Sequence, residues 1–192
     1  MKTISTILED PITTPELENT FETIKQELGA PFVPNFFQVW GNAPHALQGI
    51  VPAMKHILGS GMLERRLKEM IMIAVSSFKH CNYCEAAHQV FCSSMGALPE
   101  QIEHLMNRHT LRESDDPKEK AAIDFAIKLA KDPNSSNQED FSKLESLGYS
   151  KPEILEIIGM SGMAVFYSHL ASATKIKIDP GFKEALSKQT VK

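Results

Sequence analysis

The stretch His80-Cys81-Asn82-Tyr83-Cys84-Glu85-Ala86-Ala87-His88 gathers the most reactive side chains of this sequence. Two cysteines three residues apart can close a disulfide, and a histidine four residues after the second can take its proton or return it. On a helix starting near residue 82, Cys81 falls at or near the N-cap, where free backbone N–H groups and the helix dipole favour an anion. A thiol in that place ionises well below its reference pKa of ~8.5. Cys84 stands one turn further in, close enough to bond to Cys81 after local adjustment. Cys84, His88, Phe91 and Met95 then share one stripe of the helix. That stripe is also the apolar one, so the dithiol is expected to face the interior or a dry pocket suited to a small hydrophobic reactant. An unpaired thiolate is costly there and calls for a proton carrier.

A carboxylate enters the same picture from the preceding helix, 63–78. Leu63, Leu67, Met70, Ile71, Ala74, Val75 and Phe78 make one face, and Glu69 points nearly opposite. Met72 and Ile73 flank Glu69, so this helix is apolar nearly all round and is expected to be buried on both sides. An enclosed carboxylate needs a partner. Glu69 lies about as far down its helix as His88 lies up the next. An antiparallel hairpin would bring the two together, directly or through water.

Plainer accounts compete with redox chemistry. Cys81, Cys84, His88 and Cys92 are all zinc-ligand types, but one short helix cannot wrap them tetrahedrally around an ion, and no second CxxC or histidine pair completes a site. No metal is therefore expected. The cysteines could also be inert core beside a satisfied histidine, and Cys92 is read as plain core. A thioredoxin-like reading fails because no βαβ pattern precedes the motif.

The elements that must position these groups read as helices throughout, with no period-two strand pattern. Thr13 or Thr14 with Pro15 and Glu16 opens a helix with the stripe Leu17, Phe21, Ile24 and Leu28, closed by Gly29 and Pro31. Further helices are expected over 35–40, 44–58 (kinked or broken at Pro52), 63–78, 82–95 and 99–108. The polar stretch 110–116 reads as a linker between two helical halves. Asp116-Pro117-Lys118-Glu119 and Ser150-Lys151-Pro152-Glu153 read as capping boxes. The first opens a helix burying Ala122, Phe125, Ala126 and Leu129. The second opens a long helix to about residue 174, after a short one carrying Phe141, Leu144 and Leu147. The long helix is rich in small residues, including Gly159, Gly162, Ser168 and Ser172, as suits a central core helix, a subunit interface, or both.

The 192 residues fit one domain or two small fused halves. Hydrophobic residues make up 42% and charged residues 23%, which argues for a sizeable core and against disorder. A net charge of -4 leaves no basic surface for general nucleic-acid binding. The longest apolar run, 154–166, is interrupted by Glu156 and two glycines and falls short of the ~20 residues a bilayer span needs. The first eleven residues do not read as a secretory signal. Three cysteines are too few for a secreted disulfide scaffold, so a cytoplasmic location with reduced thiols is expected.

Glu69, eleven intervening residues, and then Cys81-x-x-Cys84-x-x-x-His88 resembles the signature of the alkylhydroperoxidase AhpD-like, carboxymuconolactone decarboxylase superfamily. Leu67-Lys68-Glu69-Met70-Ile71 and Gly96 also fit that family's run. The resemblance is specific over 63–96, and helix order extends it over most of the chain. It implies a single all-α domain over 1–192, an AhpD-like bundle whose helix hairpin carries the CxxC at a helix N-terminus. It implies a symmetric homo-oligomer, a trimer or hexamer, and thiol-dependent reduction of a hydroperoxide substrate without metal or organic cofactor. By the same resemblance, Cys84 attacks the peroxide and becomes a sulfenic acid, and Cys81 condenses with it to a disulfide. A dithiol reductant, a dihydrolipoyl group or a thioredoxin-like protein, then restores both thiols. Glu69 and His88 form the proton relay that serves Cys84.

One position departs from the family pattern. The best-known peroxidases of the family carry a histidine immediately before the second cysteine, and this chain has Tyr83, which does not shuttle protons near neutral pH given a reference pKa of ~10. That places the chain nearer the peroxidase-related branch. His80, just outside the motif, reads as a surface-turn residue. Two other functions remain: a carboxymuconolactone-decarboxylase-type enzyme, against which the retained dithiol counts, and a non-enzymatic thiol redox sensor.

Overall fold

The computed structural model describes residues 2–4, 8–9 and 11–189, and no strand occurs among them. Part of the N-terminal stretch considered above as a possible leader lies outside the described residues. Ten α-helices account for most of the rest: α1 (Pro15–Leu28), α2 (Asn35–Trp40), α3 (Pro44–Ala53), α4 (Arg65–Phe78), α5 (Asn82–Ser94), α6 (Pro99–Arg108), α7 (Pro117–Lys131), α8 (Gln138–Ser146), α9 (Lys151–Thr174) and α10 (Pro180–Gln189). The all-α expectation holds.

Local chemistry sets most of the boundaries. Thr14 caps α1 by accepting the Leu17 N–H at 3.2 Å, and Gly29 ends it in the left-handed conformation. Pro52 sits inside α3, and the helix passes directly into a π-helical turn, Met54–Leu58. The disturbance expected at Pro52 thus appears as a change of helix type. The box expected at Asp116 forms only by half. Asp116 accepts the Lys118 N–H at 2.7 Å, but Glu119 turns away to pair with the Arg66 guanidinium. A charged partner outcompetes a backbone N–H for that carboxylate. At Ser150 the N–H does donate to Glu153, at 2.7 Å.

Helix α4 is the centre of the molecule and packs against α5, α6, α7 and α9. Every residue from Leu67 to Ser77 is buried, including Lys68 and Glu69, as the near-continuous apolar surface of this helix demands. Lys68 is matched by the Ile57 carbonyl at 2.9 Å, the Ser60 carbonyl and the Glu156 carboxylate at 2.8 Å. The segment 110–116 joins helices that pack on the same α4, and buried residues from both sides of it form one hydrophobic cluster. Leu111 is itself buried in that cluster.

The 24-residue α9 is long and apolar enough, by length and composition, to cross a membrane, a longer stretch than the run 154–166 suggested. Its buried residues pack instead against α4 and α7, the position of a core helix. Helix α10 was not foreseen from the sequence, although Asp179-Pro180 is a helix-opening pair. It lies close to the loop before α2: a Cβ added at Gly181 would stand 2.6 Å from the Phe32 ring.

Candidate active site

The junction of α4 and α5 is only three residues long, and its geometry sets the position of the first sulfur. His80 adopts the left-handed conformation, with φ of 56°. Its N–H bonds to the Ser77 carbonyl at 3.0 Å, and the Cys81 N–H bonds to the Ser76 carbonyl at 2.9 Å. This pair of bonds closes the C-terminus of α4. His80 is therefore the turn residue, exposed and spent on geometry. Cys81 follows directly as the N-cap of α5, and its sulfur accepts the Cys84 N–H at 3.4 Å, the place a serine or aspartate oxygen usually takes.

The two thiols are free and buried, and they interact with each other. Their acidities separate. The interaction with Cys84, outweighing burial, and the backbone N–H of Cys84 bring Cys81 down to about 6, helped by the hydroxyls of Ser172 and Ser168 on α9. The interaction with Cys81 and deep burial push Cys84 well up. One proton thus leaves the couple easily and the second with difficulty, because two thiolates side by side in a dry site repel. The serines were read from sequence only as small packing residues. Cys92 is fully buried with its sulfur against the Arg66 carbonyl, and burial pushes its thiol up to about 12.

The antiparallel hairpin brings Glu69 and His88 together, with Oε2 of Glu69 2.5 Å from Nδ1 of His88. A third group, unanticipated from the sequence, completes the arrangement. Arg65, one turn before Glu69, donates from Nε at 2.7 Å and approaches with Nη2 at 2.6 Å, both to Oε1. The signal was available as an Arg–Glu pair four residues apart on one helix. Burial alone would raise the Glu69 carboxyl, but His88 and then Arg65 hold it below its ordinary value. The carboxylate therefore stays ionised although its side chain is wholly enclosed. It fixes the His88 ring through Nδ1 and leaves Nε2 for chemistry.

A pocket opens over this row. Cys84 and His88 stand on its wall with Arg65, and Cys81 does not. The aromatic part of its wall comes from four elements: Phe36 and Phe37 of α2, Tyr83 and Phe91 of α5, Tyr167 of α9 and Phe182 of α10; aliphatic and methionine side chains of α1, α4, α9 and the π-helical turn supply most of the rest. The space it encloses is about 50 Å³, room for a small reacting group, and it opens to the surface. The Phe36 and Tyr167 rings stack at 5.3 Å between centroids, and Phe91 meets Phe182 edge-on at 5.7 Å. An apolar pocket therefore lies beside Cys84, while Cys81 faces the interior.

Tyr83 is held in place. Its hydroxyl donates to Asp179 Oδ2 at 2.8 Å and accepts the Phe36 N–H at 3.3 Å. Asp179 also accepts the Asn35 N–H at 2.9 Å, at the start of α2. Burial, and then the nearby Asp179 charge, push the phenol well up, so it carries no proton traffic near neutral pH.

The profile of the carboxymuconolactone decarboxylase family matches residues 44–128, which contain Glu69, Cys81, Cys84 and His88. No curated protein matches the chain. Among solved structures, an uncharacterized peroxidase-related protein from Silicibacter sp. TM1040 superposes with a TM-score of 0.83 at 23% identity, covering 94% of each chain. An uncharacterized peroxidase-related protein from Ralstonia eutropha JMP134, described as an alkylhydroperoxidase AhpD core, gives 0.81 at 20% identity, over 93% of this chain and 96% of that one. The debrominase Bmp8, solved as a cysteine-to-alanine variant with 2,3,4-tribromopyrrole, gives 0.76 at 22% identity, over 97% and 98%. At these identities the structures establish a shared fold.

Proposed function

We propose that the chain is a thiol-dependent peroxidase of the AhpD-like, carboxymuconolactone decarboxylase superfamily, a reading supported by the family match over residues 44–128 and by the fold it shares with peroxidase-related proteins. The carrying observation is the unbroken row Arg65–Glu69–His88 beside Cys84 on the wall of an apolar pocket.

In this reading the Cys84 thiolate attacks the terminal oxygen of a hydroperoxide. The O–O bond breaks, Cys84 becomes a sulfenic acid, and the departing alkoxide takes a proton from His88 to leave as an alcohol. Cys81 then attacks the Cys84 sulfur, water departs, and the disulfide forms. A dithiol donor reduces it by exchange and is itself oxidised to a disulfide. Access selects Cys84 as the nucleophile, although Cys81 is the more acidic thiol, because the pocket reaches only Cys84. The proton first lost from the couple passes to His88, and the Cys81 thiolate then takes the Cys84 proton, so the single negative charge stands on Cys84 at the moment of attack. A lactone decarboxylation would leave the dithiol without a task.

The aromatic walls favour one second reading, in which a halogenated aromatic compound is the oxidant. Cys84 would take the halogen as a sulfenyl halide while the ring carbon takes a proton, and Cys81 would expel halide as the disulfide forms. Both readings share one test: mass spectrometry after one equivalent of an alkyl hydroperoxide or of a brominated pyrrole, with and without a dithiol. The peroxidase reading expects a dithiol-reversible Cys81–Cys84 disulfide with the hydroperoxide, and it fails if only the brominated compound produces that disulfide.

The chain is also proposed to form a homo-oligomer. Leu155 and Phe166 on the outer face of α9 are 67% and 46% exposed, with Gly162 between them. A second copy covering that stripe would remove an apolar face from water.

A further inference from the structure

The pocket contains one permanently charged side chain among the described residues that line it, and its position bears on the substrate. Arg65 approaches Glu69 through Nε and Nη2, both on the same carboxylate oxygen. A guanidinium has five N–H donors, and Nη1 has no hydrogen-bond partner among the described residues. The Arg65 side chain lines the pocket and is 28% exposed, whereas the Glu69 side chain it holds is 0% exposed.

The other polar groups on the wall are spent elsewhere or engaged in the reaction. The Tyr83 hydroxyl is bound to Asp179, and the Tyr167 hydroxyl donates to the Ile50 carbonyl at 2.6 Å, so both tyrosines show the pocket only their rings. What remains is Cys84 and His88, where the reaction runs, and Arg65 behind the Glu69 carboxylate. The backbone of Arg65 lies about two helical turns along the hairpin from that of Cys84. Its guanidinium reaches back to within 2.6 Å of Glu69 Oε1, and the other oxygen of that carboxylate is 2.5 Å from His88 Nδ1, so Glu69 stands between Arg65 and the reacting atoms.

We infer that the substrate of this site is an amphipathic hydroperoxide, with its peroxide at Cys84, its apolar body between the aromatic walls, and a carboxylate on the free guanidinium edge of Arg65. This deepens the peroxidase reading and rests on it. The guanidinium fork matches a carboxylate, and an anchor fixed at both ends of its own ion pair loses little freedom on binding. Arg65 thus has two tasks. It keeps Glu69 ionised behind His88, and it selects substrates by a charge that does not itself touch the breaking O–O bond.

A hydroperoxide of linoleic acid and its methyl ester differ in that charge alone, and comparing them gives the test. The wild type is expected to reduce the acid with a kcat/KM about tenfold above that of the ester, chiefly through KM. Arg65→Gln should bring that ratio near one, and Arg65→Lys should keep part of it. Because any harm done to Glu69 lowers both rates together, the ratio isolates recognition. Calorimetry with linoleate itself, which has no peroxide, should show binding to the wild type that is lost in Arg65→Gln. Equal kcat/KM for acid and ester in the wild type would overturn the inference and leave the peroxidase reading standing, as would a ratio unchanged in Arg65→Gln. A wild type that reduces neither compound, nor hydrogen peroxide, would remove the peroxidase reading and this inference with it.

Discussion

The Tyr83 hydroxyl donates to the Asp179 carboxylate at 2.8 Å, a bond that ties the residue next to Cys84 to the start of α10, 96 positions away. Asp179 uses its other oxygen to hold the Asn35 N–H of α2. One buried carboxylate therefore fixes three walls of the pocket, and Tyr83 acts as a strut between them.

Tyr83→Phe is expected to cost about 1–3 kcal/mol of stability, since it leaves Asp179 and the Phe36 N–H each short of a buried partner. Denaturant unfolding measures the loss. A double-mutant cycle with Asp179→Asn should be strongly non-additive, and additive values would refute the strut.

Glu69→Gln should lower peroxide turnover and cost roughly 1–3 kcal/mol, a figure reduced because Arg65 is partly solvated. The pH dependence has a definite sign. The folded pKa of Glu69 lies below its ordinary 4.5. Its stabilising contribution is therefore full above pH 4.5 and is lost as pH falls through the lower folded value. The stability gap between wild type and variant should shrink on acidification below pH 4.5; a gap independent of pH there would contradict the buried pairing.

Cys84→Ser should abolish peroxide consumption, whereas Cys81→Ser should leave a sulfenic acid on Cys84 that dimedone captures. Peptide mapping locates the adduct. Dimedone found on Cys81 in a Cys84→Ser protein that still consumes peroxide would reverse the two roles.

The thiol couple should lose its first proton with a midpoint of about 6, followed by the ultraviolet absorbance of the thiolate. Removing the Ser168 and Ser172 hydroxyls by alanine substitution should move that midpoint upward. An unchanged midpoint would show that Cys84 and its backbone N–H set it without the serines.

Leu155→Glu with Phe166→Glu should shift the protein to a slower-sedimenting species without changing its helical circular dichroism. Equal sedimentation of variant and parent would rule out α9 as the contact between copies.

The hairpin was readable because its information is local. Glu69, Cys81, Cys84 and His88 are spaced by whole helical turns, and a three-residue junction leaves the two helices little freedom but to run antiparallel. Arg65 is equally local, but its spacing of four from Glu69 is common on exposed helix faces and does not by itself mark a buried pair. Asp179 could not be found this way, since no periodicity links it to Tyr83 or Asn35. The aromatic walls likewise come from α2 and α10, elements brought to the hairpin only by tertiary packing. The contrast between Asp116 and Ser150 makes the same point at small scale: both motifs encode a cap, and a long-range arginine decides which glutamate honours it.

The sulfur of Cys92 lies sealed beneath the hairpin, its proton held until the solution is strongly alkaline. A third thiol within the same helix would ordinarily scramble exchange, offering wrong pairings and mixed products. Held in its neutral form, this one stays out of the cycle proposed above, which then has one disulfide, Cys81–Cys84, to form and two electrons to recover.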